Sequence, residues 1–127
     1  MKLQPDRLEG VNVITRHAGG RVWVNADEHD ASVLVPWRGQ AVPWGVQAFA
    51  SLDAAHFEAV LRLAPEIVIF GSGARLRFVA PALLRGLLER RIGVETMDIA
   101  AACRTYNVLA SEGRSVVAAL LVEREPS

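Results

Sequence analysis

The sequence predicts an α/β fold in which a central, mixed but largely parallel sheet is flanked by helices and extended by amino-terminal antiparallel strands. Three observations carry this expectation. Residues 67–70, Ile-Val-Ile-Phe, are four consecutive apolar β-formers, the pattern of a strand buried on both faces. In the second half, helical patterns alternate with such strands, which is the signature of parallel crossover units. In the first third, two short β-prone runs flank a glycine pair, which is the pattern of a hairpin.

The elements follow in order. Residues 11–17 and 21–25 are the two strands of the hairpin, with Gly19 and Gly20 in the turn. Residues 31–35 give a third strand. Pro36, Gly39 and Pro43 then interrupt pairing, so 37–47 reads as an irregular bend, with a further strand expected over 46–49. Ser51 can cap a helix running to Leu63, because its hydroxyl can accept a free first-turn amide, and Pro65 stops that helix. After the 67–70 strand and a glycine turn, Pro81 opens a helix carrying Leu83, Leu84, Leu87 and Leu88. Residues 94–97 form the next strand, Asp98 caps a helix over 99–110, and Gly113 separates that helix from a last strand over 115–122.

Composition narrows the function. The chain has 127 residues, 51% of them hydrophobic, which suits one domain spanning 1–127 with flexible ends at 1–10 and 123–127. Fourteen basic and fourteen acidic residues cancel, so no whole-molecule field draws the chain to nucleic acid. The amino end lacks a continuous apolar run and is read as no secretory signal. No stretch approaches the ~20 apolar residues of a spanning helix, so the protein is not expected to be an integral membrane protein and is placed in the cytoplasm. Cys103 is the only cysteine, which excludes an intramolecular disulfide and a multi-cysteine zinc site.

The most informative segment is Gly71-Ser72-Gly73 at the end of the 67–70 strand, followed by Arg75 and Arg77. Glycines at a strand's carboxyl end let backbone amides approach an anion or a partner. The dinucleotide fingerprint is incomplete, because Leu76 stands where its third glycine would. If the 67–70 and 94–97 strands are neighbours, the glycine turn and Thr96-Met97-Asp98 form one rim at the end of the sheet. The following helix adds Cys103, Arg104, Tyr106 and Asn107. Cys103 reads as a small buried hydrophobe, with a reactive thiol as the alternative; it lies beyond the first turn and no histidine is near it in sequence.

Other groups are weaker. His17, His29 and His56 are far apart, so no metal is implied, and no cofactor is. Asp27, Glu28, His29 and Asp30 read as a solvated turn, with a cation-holding loop as the alternative. Trp23 is assigned mostly to the core, whereas Trp37 and Trp44 are left between core and exposed partner patch.

The run 70–73, the Pro81 helix start, Gly93-Val94-Glu95-Thr96-Met97-Asp98 and Ala101-Ala102-Cys103-Arg104-Thr105-Tyr106-Asn107 closely resemble a small domain-of-unknown-function family, DUF 498. Its mitochondrial members include complex I assembly factor three, and the similarity runs from Ile14 to Val122. The resemblance implies a three-layer α/β fold with a central mixed sheet, and it brings no catalytic mechanism to these positions. It implies a non-enzymatic accessory or assembly protein of bacterial type, presenting the rim around Gly71, Arg75, Arg77 and Arg104 to a protein partner. The rival reading is a small anionic-ligand-binding protein or an enzyme, with Cys103, Tyr106 and Asn107 near the chemistry.

Overall fold

A computed structural model describes residues 9–123. Among the described residues there are two sheets: a three-stranded antiparallel sheet of β1 (Ile14–Ala18), β2 (Arg21–Val24) and β3 (Asp27–His29), and a five-stranded mixed sheet. The second contains β4 (Val33–Val35), β5 (Val42–Pro43), β6 (Ile67–Gly71), β7 (Gly93–Met97) and β8 (Val116–Leu120), in the order β5-β4-β8-β6-β7. β8, β6 and β7 are parallel, and β4 and β5 continue the sheet antiparallel. The helices are α1 (Ala54–Leu61), α2 (Arg85–Glu89) and α3 (Ile99–Ser111).

The β1–β2 hairpin turns through Gly19 and Gly20 at φ 56° and 75°, both in the left-handed region that a two-residue turn of this hand requires. The acidic run after it is not only a turn. Asp27, Glu28 and His29 form β3 against β2, and the reversal is made by Asn25, at φ 55°, and Ala26. β3 escapes a hydrophobic reading because it is an edge strand whose side chains are mostly exposed. Alternation along β2 also corrects Trp23. Val22 and Val24 take the inner face, leaving Trp23 half-buried outside, with the Arg16 guanidinium 4.7 Å from its ring centre.

The strand expected over 46–49 does not form. Instead β5 pairs at Val42–Pro43, where a proline is tolerated because β5 is the sheet edge, and a 3₁₀ turn runs over Phe49–Ser51. The next helix begins later than expected, because Asp53 rather than Ser51 is its cap. The Asp53 carboxylate accepts the Ala55 and His56 amides, while His56 Nδ1 accepts the Asp53 amide. Pro81 opens a 3₁₀ turn, Pro81–Leu84, that runs into α2, and Asp98 caps α3 by accepting the Ala101 amide at 2.9 Å.

The central sheet divides two cores. Ile69, Val116, Ala118 and Leu120 pack with α3 and with Ile14, Val22 and Val24 of the small sheet. Val68, Phe70, Val117, Ala119 and Leu121 point the other way, onto Phe57 and Val60 of α1, Leu87 of α2 and Trp44. This two-sided burial is why β6 and β8 read as unbroken apolar runs. Trp44 is core, edge-on to Phe57 and Phe70 at 5.6 and 6.0 Å, and its indole donates to the His56 carbonyl at 2.9 Å. Trp37 is half-buried and donates to the Ala110 carbonyl at 3.1 Å. Residues 1–8 and 124–127, most of the ends expected to be flexible, lie outside the described residues. Glu123 is fixed by an ion pair to Arg77.

Candidate functional site

β6 and β7 are direct neighbours, with Gly71 opposite Met97, so the glycine turn and the start of α3 do meet at one end of the sheet. The Ser72 amide donates to the Met97 carbonyl at 2.8 Å, and the Ile99 amide donates to the Gly73 carbonyl at 2.8 Å. Gly71 is required by packing: a Cβ there would stand 3.0 Å from Ala102 Cβ and 3.0 Å from a Leu120 methyl. Gly73 is required by conformation as well, at φ +102°, with an Arg77 nitrogen 2.7 Å from where a Cβ would sit.

The loop beyond is held from within. Ser72 is fully buried, and its hydroxyl donates to the Arg75 carbonyl at 2.8 Å while accepting the Arg77 amide at 2.9 Å. The Arg77 guanidinium folds back to donate to the Ser72 carbonyl at 2.6 Å and to the Glu123 carboxylate at 2.5 Å, lying 4.6 Å above the Phe49 ring. Desolvation pushes the Glu123 carboxyl up. Hydrogen bonds from Arg77 and the Phe49 amide, with the charges of Arg77 and Arg75, outweigh it and hold the group below its ordinary value. Arg77 therefore faces the glycine turn already paired to an anion of its own chain.

The residues read as candidates for chemistry on α3 are turned to structural use. Cys103 is 6% exposed, and burial pushes its thiol up to about 11 against the opposing charge of Arg104. Tyr106 is fully buried, its hydroxyl donates to the Pro36 carbonyl at 2.8 Å, and burial raises its pKa. The Asn107 carboxamide donates to the Ile14 carbonyl and accepts the Ile14 amide, both at 2.9 Å. It thereby takes the place of a neighbouring strand along β1. Arg75 and Arg104 are exposed, and Thr96 is half-buried on β7. The ten predicted residues thus do not converge on one reactive centre.

A cleft of about 770 Å³ does open at this end of the sheet. Its walls are the Gly19–Gly20 turn with His17 and Arg21, the Gly73–Ala74 turn, the amino end of α3 at Asp98, and the 121–123 segment after β8. Of the predicted rim, Gly73 lines it. Asp98, read as part of that rim beside Thr96 and Met97, lines it too, whereas His17, Asp30 and Glu123 are lining residues that the sequence reading did not place on the rim. No local signal brings the hairpin tip to the glycine turn; that is set by packing of the small sheet on α3. The Ser72 hydroxyl, Arg77 and Glu123 are already held by hydrogen bonds within the chain, and the cleft is bordered by the largely buried Ile99, Leu121 and Val122 among polar residues. Among the described residues no three His, Cys, Asp or Glu side chains come together as a metal site.

Residues 14–121 match the family described as "Protein of unknown function (DUF498/DUF598)". This chain belongs to that family. It is 38% identical over 82 residues to the Bos taurus NADH dehydrogenase [ubiquinone] 1 alpha subcomplex assembly factor 3, a match covering 63% of this chain and 45% of that protein. The chain thus spans about half the length of its assembly-factor relatives. It is also 23% identical over 118 residues to a Francisella tularensis protein called 13 kDa major membrane protein, covering 91% of this chain and 95% of that one. The crystal structure of a Bordetella parapertussis protein, 36% identical, superposes with a TM-score of 0.85 and covers 91% of this chain and 99% of its own. The mixed α/β fold read from the sequence is the fold of that Bordetella structure. Among the described residues no helix is long and apolar enough to cross a membrane.

Proposed function

We propose that this chain is a non-catalytic accessory factor that works in the cytoplasm through protein–protein contact. The observation that carries the reading is the commitment of Ser72, Cys103, Tyr106 and Asn107 to internal structure. A thiol held at about 11 is almost wholly protonated near neutrality, and a buried tyrosine already bonded to a backbone carbonyl has no reach toward a substrate. The similarity to a bovine complex I assembly factor supports a role in building that complex. Arg75 and Arg104, both exposed, are the charged groups left on the rim for a protein partner.

Deletion in the producing organism tests this. Membranes should lose NADH:quinone activity and fully assembled complex I, with recovery on return of the wild-type gene and poor recovery with Arg75→Glu. Normal assembly and activity without the gene defeat the complex I role. Turnover of a metabolite by the purified protein, abolished by Cys103→Ala, defeats the non-catalytic reading.

The cleft favours a second reading, in which the same end of the sheet holds a small anion or other ligand beside Gly73 and the start of α3. Titration with phosphate or sulfate should then shift backbone resonances of Gly73 and Ala74. Saturating anion that leaves both unmoved removes it.

A further inference from the structure

Among the described residues the two sheets have four edges, and three of them are guarded. β1 is bulged between Ile14 and Arg16, and the Asn107 carboxamide occupies the backbone of Ile14. β3 is three residues long, all of them Asp, Glu or His. β5 has two residues, one of them Pro43. Short length, charge, proline and bulges are the means by which an edge is kept from pairing with another chain. β7 is protected least: it runs five residues in unbroken register with β6, carries one charged side chain, Glu95, and ends the order β5-β4-β8-β6-β7. No described strand pairs with its outer side.

The register fixes which backbone groups that edge presents. The Ser72 amide donates to the Met97 carbonyl, so Met97 faces β6, and alternation along the strand turns Gly93 and Glu95 the same way. Val94 and Thr96 therefore direct both N–H and C=O away from the sheet. The Ile92 carbonyl joins them, because the Gly93 N–H on the same planar peptide points inward. The Ile92 amide is already committed to the Leu87 carbonyl at 3.0 Å. Gly93 and Glu95 are exposed and Val94 and Thr96 half-buried, so the row is open to solvent.

We propose that the open edge of β7 takes the β7 of a second copy of this chain, antiparallel, about a two-fold axis through Val94. Charge selects this occupant. Arg90 and Arg91 precede the strand, whereas Glu95 lies in its second half and Asp98 just beyond it, so an antiparallel copy sets each basic end against the other's acidic end, and symmetry repeats the match. Charge selects the register as well. An axis through Glu95 would place that carboxylate opposite itself, and one through Thr96 would carry both arginines past the last pair. The axis through Val94 places Glu95 opposite Gly93 and brings Asp98 toward Arg90. In that register the two Val94 residues exchange both backbone bonds, and each Thr96 N–H donates to the Ile92 carbonyl of the other copy, so the committed Ile92 amide is not needed. The two five-stranded sheets become one continuous sheet. This inference goes beyond the proposed function and holds whichever protein the chain assists.

Sedimentation velocity should show a concentration-dependent dimer that added salt weakens. Thr96→Pro removes an outward N–H and no bond to β6, so it should give a monomer with the circular dichroism spectrum of wild type. Arg90→Glu should raise the dimer dissociation constant about fivefold, because symmetry counts the repulsion twice. Cysteine variants read the register. Val94→Cys should form an intermolecular disulfide under oxidised glutathione, because facing residues of a hydrogen-bonded antiparallel pair lie ~5.5 Å apart between Cα atoms, within disulfide reach. Thr96→Cys should not, and Cys103 is too buried to compete. A protein that stays monomeric up to its solubility limit overturns the proposal. So does a disulfide through Thr96→Cys in place of Val94→Cys, or a dimer that Thr96→Pro leaves intact.

Discussion

Replacing Asn107 with Ala should loosen the small sheet from the rest of the molecule. In an antiparallel edge strand, alternate residues turn their backbone N–H and C=O away from the partner strand. Ile14 in β1 turns both groups toward α3, and the Asn107 carboxamide satisfies them with one donor and one acceptor, each at 2.9 Å. Two hydrogen bonds at ~1 kcal/mol net each give about 2 kcal/mol. Ile14 is only 5% exposed, so water reaches the orphaned groups poorly, and the penalty for unsatisfied backbone raises the expected loss to about 3 kcal/mol. Against a usual domain stability of ~5–15 kcal/mol, that is a large share. Urea unfolding, read at constant m-value, measures the difference, and hydrogen exchange at the Ile14 amide locates it. Asn107→Asp sharpens the test: it keeps the acceptor, loses the donor and sets a carboxylate against the Ile14 carbonyl, so at neutral pH it should be no less damaging than alanine. A loss below about 0.5 kcal/mol for both variants would refute the view that this pair of bonds holds the two parts together.

Three further outcomes are expected. Gly71→Ala should cost about 1–3 kcal/mol by overpacking, since its methyl would stand 3.0 Å from both Ala102 and Leu120; an unchanged melting temperature would contradict the close packing of α3 on β6. The Cys103 thiol, pushed up to about 11, should alkylate at neutral pH at least ~100-fold more slowly than free cysteine in native protein, whereas a rate like that of an exposed thiol would return weight to an enzyme. Because the folded Glu123 carboxyl lies below its ordinary value of 4.5, its ionisation adds stability that is present above that value. This contribution is lost as pH falls through the lowered folded value. Wild type and Glu123→Gln should accordingly differ near neutrality and converge in acid, and parallel pH profiles would count against the Arg77 pairing.

Much of the fold was legible because its signals are local. A glycine pair marked the β1–β2 turn, Asp98 marked the start of α3, and the unbroken apolar runs of β6 and β8 reported burial on two faces. β3 was hidden because an exposed edge strand of Asp, Glu and His has no apolar alternation to show. The start of α1 shifted from Ser51 to Asp53 because either side chain can cap, and the reciprocal bond with His56 decides between them. Topology placed the glycine turn beside the start of α3 correctly. What the side chains do there was not legible, since their partners are remote: Glu123 lies 46 positions from Arg77, Pro36 lies 70 from Tyr106, and Ile14 lies 93 from Asn107.

The contact of Gly71 with Ala102 and Leu120 also fixes how the cleft can move. With no side chain between them, the amino end of α3 and the end of β6 are in backbone-close contact, and the Ile99 amide bonds across to the Gly73 carbonyl. That wall is stiff. The opposite wall is a two-residue glycine turn at the tip of a hairpin, with nothing within 4 Å of where either Cβ would be. The cleft therefore has one closely packed jaw and one that nothing crowds, so any change of aperture is expected to fall on the hairpin, on the nanosecond-to-microsecond scale of loop motion. Stiffening Gly19 and Gly20, without touching a single lining side chain, should slow exchange of any occupant while leaving the fixed wall unchanged.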